Sequence, residues 1–446
     1  MIKLIEKKPN KKQIIWFSIV SVLYILWIIW MRSYWMLIGL AIIFDIYISK
    51  KVNWNIFKQK PGEKKKWKEW ADALVFALVV STLIKIFIFQ LYAIPTGSLE
   101  KTLLIGDRLF VSKLSYGPQM PMTPVAVPLV HNTIFGVDSY IEWPKWDYKR
   151  LSGLGQIERD DIVVFNFPVG DTILVGNENP DYYAHLILHG REFVEKNYQV
   201  KTRPIDKEEN FVKRCVAIPG DTLTIVDTKV YINGTPQKDY KGIMFKYHVQ
   251  TDGTSINPKT FERLGINSND VRIESAQDYF IDLTDERAEE FRKFPNIKKV
   301  NKLIEKKGEP DEFNLIFPRD SAHFKWNNDN FGPLVLPKKG MTITLTDENI
   351  ILYRRVIDVY EKNNYEEKGG KVFIDGKQID SYTFKQNYYW MMGDNRHNSA
   401  DSRSWGFVPE DHVVGKPVLI FYSLDEEKSF PSNIRWSRLF KLVRKE

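Results

Sequence analysis

Eighteen consecutive residues without a charge, Ile14 to Met31 (IIWFSIVSVLYILWIIWM), constrain this chain before anything else does. A helix of that length rises about 27 Å, close to the apolar thickness of a bilayer. The apolar region of a signal peptide is shorter and ends in small residues, whereas this run is Trp-rich and continues into a second apolar stretch, so it reads as retained. That second stretch, Ser33 to Ser49, holds Asp45 and is barely long enough to cross; it is either a span or a helix lying at the interface. A third, Ala73 to Ile94, encloses Lys85, which would snorkel or face another helix in a span; a helix on the membrane surface is the other reading.

The distribution of charge matters more than its total. The net charge is +8, but residues 1–94 alone hold 15 Lys and Arg against 5 Asp and Glu, so the remaining 352 residues carry about −2. A nucleic-acid footprint would be a basic stripe on the folded part, which this composition does not offer. Residues 1–12 contain five Lys and one Glu, and residues 50–68 eight Lys and one Glu. Both segments are therefore expected in the cytoplasm, with the RSYW turn outside, three crossings, and everything from Pro95 onward on the far side. Cys215 is the single cysteine, which excludes an intrachain disulfide and a cysteine-based zinc site. The seven histidines lack metal-ligand spacing and no glycine loop suits a phosphate, so neither metal nor cofactor is expected.

From residue 107 onward, short β-rich runs (DRLFVSKL, DIVVFNFP, NFVKRCVAIPG, DTLTIVDTKVYING, MTITLTDENIILYRRVIDVYE, KVFIDGKQ, KPVLIFYSL) alternate with Gly, Pro, Asn and Asp clusters, as in a mainly antiparallel β domain. Two of these units lead to an Asn-Gly or Asp-Gly turn, either a structural repeat or the ordinary likeness of hairpins. Residues 240–340 turn polar and partly helical, as in DERAEEFRKF, and read as an inserted mixed α/β subdomain. The β domain is then 95–239 plus 341–446, following a membrane region at 1–94, with 117–158 a long ordered loop.

Three stretches could carry chemistry. In PTGSLEKTLLIGDRLFV, Ser98 is a nucleophile only if a base takes its proton and donors hold the oxyanion, for which the Thr96 hydroxyl and the Ser98 N–H are at hand. Alone, TGS is equally an ordinary turn or cap. In NFVKRCVAIPGD, strand alternation puts Phe211, Lys213 and Cys215 on one face; a buried lysine loses its charge readily and serves as a neutral base, although a snorkelling or ion-paired lysine fits the same pattern. MGDNRHNSADSRSWGFVPE is a hydrogen-bonded loop in which Asp394, Arg396, Asp401 and Arg403 read as structural, while Ser399 is a hydroxyl able to orient the lysine.

Taken together, TGSL, GDRLFV from Gly106, KRCVAIPGD from Lys213 and GDNRHNSADSR from Gly393 resemble, in order and content, the bacterial signal peptidase I family of membrane-bound serine proteases. The resemblance implies N-terminal transmembrane helices and a β fold of the signal peptidase and SOS-repressor-protease kind. It implies Ser98 as nucleophile, Lys213 as general base, Thr96 in the oxyanion hole, Ser399 bonded to the base, and Arg214, Asp394, Asp401 and Arg403 shaping the site by ion pairing. The implied partners are membrane lipid and secretory preproteins with small residues one and three positions before the cut, with the site at the outer face of the cytoplasmic membrane. An inactive or specialised member acting in envelope assembly is the alternative. Leu99, Lys101 and Ala217 stand where the family has Met, Pro and Gly; losing that proline implies a less rigid turn after Ser98.

Overall fold

The computed structural model describes residues 9–31, 34–52, 66–170, 172–177, 181–238 and 240–445. Its contacts divide the chain into two compact units, Met1–Gln90 with Ser112–Gln156, and Leu91–Val111 with Ile157–Glu446. The loop at 117–158 thus groups largely with the N-terminal helices rather than with the β domain.

In the first unit, helix α1 (Lys11–Met31) follows from its uncharged run, and Asn10 caps it by accepting from the Gln13 N–H at 2.8 Å. The second apolar stretch is not one continuous α-helix. After a 3-10 turn it forms α2 (Ile38–Phe44), prolonged by a wide turn to Ser49. Ile38–Ser49 spans only about 18 Å at the helical rise, against about 30 Å of hydrocarbon. It folds back along α1: the Tyr24 hydroxyl donates to the Met36 carbonyl at 2.8 Å, and Phe44 meets Phe17 edge to face. Asp45 sits in this apolar run because its carboxylate closes the chain's exit, accepting from the Lys51 and Val52 N–H groups. Arg32, Ser33 and most of the basic loop expected at 50–70 lie outside the described residues.

The third stretch is α3 (Lys66–Phe87), which starts and ends earlier than the expected 73–94. Among the described residues, α1 and α3 are the helices long and apolar enough to cross a membrane, against the three crossings expected. Their apolar side chains are exposed, Trp16, Leu23, Leu74 and Phe76 among them, as suits a lipid environment.

The end of the third run is strand β1 (Phe89–Ala93). It begins a sheet that continues with β2 (Asp107–Ser112), β3 (Ile162–Asn166), β4 (Asn210–Ala217), β5 (Tyr388–Met392) and β6 (Val413–Ser423), in the spatial order β1-β2-β6-β3-β4-β5. The pairs β6–β3, β3–β4 and β4–β5 are antiparallel. Every residue of β3 and β5 is buried, which is why DIVVFN and YYWMM read as continuous apolar runs rather than alternating ones.

KVYING and KVFIDGK do form matching hairpins, Lys229–Ile232 and Lys371–Ile374 each turning through a left-handed pair, Asn233-Gly234 and Asp375-Gly376. The likeness stops there. MTITLTDENIILYRRVIDVYE, read as strand, is one three-residue strand followed by a helix, Asp347–Arg355, capped by the Thr346 hydroxyl, which accepts from the Asn349 N–H.

The segment expected as an insertion is shorter than 240–340. Phe245–Thr251, Val271–Ile273, Asp278–Leu283 and Ile297–Lys302 form a separate four-stranded sheet over their own core of Tyr247, Val249, Ile281, Phe291 and Val300. Phe331–Val335, by contrast, pairs with Thr222–Val226, and Phe317 packs edge-on against Trp390 and Phe407. Apolar burial returns the chain to the main core well before residue 340.

Candidate active site

Ser98 lies in a turn pinned at both ends. Upstream, the Ile94 N–H donates to the Asp107 carbonyl and the Gly106 N–H to the Ile94 carbonyl, both at 2.9 Å. Downstream, Glu100 N donates to Gly97 O, and Thr102 N and Leu103 N to Leu99 O, winding the chain tightly. Leu99 and Leu103, 1% and 0% exposed, plug the core formed by Leu109, Val111, Ile162 and Val164. Leucine in the methionine position thus keeps its apolar anchor. Lys101 holds φ = 74°, a left-handed conformation that proline, fixed near −65°, cannot adopt. The turn therefore takes a different path from one built on proline.

Lys213 is on β4, opposite Val163 of β3. Its Nζ donates to Ser98 Oγ at 2.6 Å, and both residues are buried, 4% and 7% exposed. Phe211 lies on the same face of the strand, its ring 5.7 Å from Nζ. Burial pulls the Lys213 pKa down to about 8, against the opposing pull of the Asp401 and Asp394 carboxylates. The ammonium has little water to solvate it, so the neutral amine becomes accessible near neutral pH. Cys215, two residues on and fully buried, sets its thiol on the Ala217 carbonyl, and burial pushes its pKa well up, so it behaves as an inert core residue.

The loop after β5 holds this pair in place. The Asn395 N–H donates to the Ser98 carbonyl at 3.1 Å. Gly393 must be glycine: a Cβ there would lie 2.6 Å from the Ser98 carbonyl oxygen and 2.3 Å from Ser399 Oγ. Arg214 grips Asp394 through two bonds of 2.7 Å, each side chain 1% exposed, and the Thr102 hydroxyl donates to the same carboxylate at 2.8 Å. Arg403 chelates Asp401 at 2.9 and 2.8 Å, and Asp401 also accepts from the Gly393 N–H. These buried pairs fix geometry rather than add stability, since desolvation offsets most of their attraction.

Two of the expected roles lack a bond here. The Ser399 hydroxyl donates to the Ala400 carbonyl at 3.5 Å, not to Lys213, although its oxygen lies beside the space Gly393 leaves. Thr96 is exposed, where its hydroxyl is free to meet a ligand, and it lines a cavity of about 200 Å³ together with Ser98, Lys213, Tyr92, Ile94, Leu109, Val164 and Phe211. Thr102 and Tyr240, whose ring lies 4.3 Å from the Arg214 guanidinium, were not singled out by the sequence. Thr102 had a signal in its place four residues after Ser98; Tyr240 had none.

The family model for signal peptidase, peptidase S26, matches residues 67–289 and 298–422, more than half of the chain. Signal peptidase I of Buchnera aphidicola subsp. Baizongia pistaciae is 25% identical over 403 residues, covering 88% of this chain and 89% of that protein. Signal peptidase I of Aquifex aeolicus is 24% identical over 350 residues, with 78% and 82% covered, and that of Haemophilus influenzae 22% identical over 377 residues, with 84% and 76% covered. With a buried Ser–Lys contact and matches of this breadth, the chain belongs to the signal peptidase, peptidase S26 family.

Proposed function

We propose that the protein is a serine endopeptidase that removes N-terminal signal peptides from exported preproteins, with Ser98 as nucleophile and Lys213 as general base. The observation that carries this reading is the 2.6 Å contact between Ser98 Oγ and a lysine whose charge burial disfavours. Neutral Lys213 takes the Ser98 proton as Oγ attacks the carbonyl before the scissile bond. The oxyanion meets the Ser98 N–H and the Thr96 hydroxyl, and the lysine returns its proton to the departing amine. Lys213, again neutral, then deprotonates a water that hydrolyses the ester, and the Ser98 hydroxyl is regenerated.

The apolar cavity beside Ser98 is small, in keeping with small residues one and three positions before the cut. Arg214 with Asp394 and Arg403 with Asp401 serve as site-shaping pairs, and Ser399 serves as the hydroxyl that orients the base. The membrane is the inner one, with the site on its outer face; the basic residues of 1–12 and 50–68 support this by keeping both segments in the cytoplasm, so that α3 leads outward. The test is processing of a secretory preprotein by Ser98→Ala and Lys213→Ala variants. Full cleavage by either variant refutes the dyad.

A further inference from the structure

The turn that carries Ser98 is braced by the separate four-stranded sheet and the loop attached to it. Lys101 Nζ donates to the Gly265 carbonyl at 2.7 Å, and Asn267 Nδ2 donates to Glu100 Oε1 at 2.7 Å. Gly265 and Asn267 directly follow the short helix Pro258–Arg263, which Asn257 caps, so this bend has a defined position. Glu100 is 2% exposed, and its second oxygen is buried without a hydrogen-bond partner. On the other flank, Gly242 lies beside the turn, where a Cβ would touch Lys101 Cβ at 3.4 Å and the Thr102 hydroxyl at 3.5 Å. The Met244 N–H donates to the Asp394 carbonyl and the Arg396 N–H to the Met244 carbonyl, clamping the residues around Asn395, whose own N–H holds the Ser98 carbonyl.

Residues 242–267 thus grip the nucleophile's turn from both sides. The turn needs this support: Lys101 has neither proline's rigidity nor an unstrained backbone, for a left-handed non-glycine residue costs about 1–2 kcal/mol.

We infer that Glu100 and Lys101 are positioning residues for Ser98, held in register by Asn267 and the Gly265 carbonyl, so that the added sheet serves as a rigid back to the catalytic turn. This rests on the reading of Ser98 as nucleophile. A displacement of the nucleophile by a fraction of an ångström to 1 Å lowers turnover by about ten- to a hundredfold, without touching the groove that binds substrate.

The test uses the full chain in detergent, with a preprotein carrying alanine one and three positions before its cleavage site. Asn267→Ala and Lys101→Met should each lower kcat about tenfold with KM within a factor of two of wild type, and Lys101→Arg, which keeps a donor within reach of Gly265, should recover most of the loss. Protection of Cys215 from a thiol reagent, measured alongside, reports whether β4 remains closed. Ser98→Ala, run in parallel, separates the two readings: if it still cleaves, the nucleophile is wrong. If Ser98→Ala is inactive but both brace variants keep wild-type kcat, or lose activity only as fast as they lose Cys215 protection, the positioning role is overturned.

Discussion

Replacing Lys213 by methionine should abolish cleavage and at the same time make the protein more stable at neutral pH. The pKa of Lys213 falls from the ordinary 10.5 to about 8 in the folded chain, chiefly through burial. Each unit is worth about 1.4 kcal/mol, so the charged lysine costs the fold about 3 kcal/mol at pH 7, where it is protonated in both states. Methionine has a similar length and no charge; against the gain stands the loss of one hydrogen bond to Ser98, about 1 kcal/mol. The expected net gain is about 2 kcal/mol. Its pH dependence is the sharper signature. Between pH 8 and 10.5 the unfolded lysine still binds a proton that the folded one has released, so wild-type stability climbs with pH over that window, while the variant has no such term. The difference should be full below pH 8 and close to zero by pH 9.5. Urea unfolding followed by pulse labelling of Cys215, the chain's single cysteine and fully buried, measures both proteins at each pH. A variant less stable than wild type at pH 7, or a difference that stays constant to pH 9.5, refutes the argument that a desolvated amine is stored at this position.

The same shift predicts that kcat/KM rises about tenfold per pH unit below 8 and levels off above it, as neutral lysine accumulates; a profile flat from pH 6 to 9 contradicts Lys213 as base. Lys101→Pro, although it restores the family's residue, should unfold the turn and abolish processing, because φ = 74° is closed to proline; wild-type cleavage by this variant would show that the turn is not left-handed. Gly393→Ala should lower kcat at least a hundredfold, since the added methyl collides with the Ser98 carbonyl and Ser399, and pairing it with Ser399→Gly should recover part of that loss in the same cleavage assay. Asp394→Ala should destabilise by about 3–5 kcal/mol by stranding the Arg214 charge, whereas Asp394→Leu combined with Arg214→Met should cost less, as chemical denaturation would show.

Much of the site was legible because its chemistry is written in short segments. Ser98 beyond an apolar run and Lys213 among apolar neighbours on a strand were each ordinary alone; the motifs taken together singled them out. Asp401 and Arg403 lay two positions apart in one motif, whereas Arg214 and Asp394 came from two motifs 180 positions apart. What the segments conceal is geometry across long separations. Asp347–Arg355 was mistaken for strand because Ile, Leu, Tyr and Val suit either structure; its capping threonine, followed by an acidic first turn, was the overlooked signal. The last part of the third apolar run looked like helix by hydropathy, yet its Phe89–Ala93 became a strand once a sheet was available to pair with it.

By itself, the sequence determined what depends on neighbours along the chain: helices α1 and α3 from their long apolar runs, the two left-handed hairpin turns from Asn-Gly and Asp-Gly, and the kinds of groups available for chemistry. Tertiary structure decided what depends on neighbours in space. It placed Lys213 within 2.6 Å of a serine 115 positions away, and it stripped that lysine of water so that its charge became expendable. It also carried Lys101 to the carbonyl of Gly265, 164 positions on. Desolvation and register arise only when separate segments close on one another, which is why the lysine in place of proline after Ser98 looked like a loss of rigidity until its bond to Gly265 was seen.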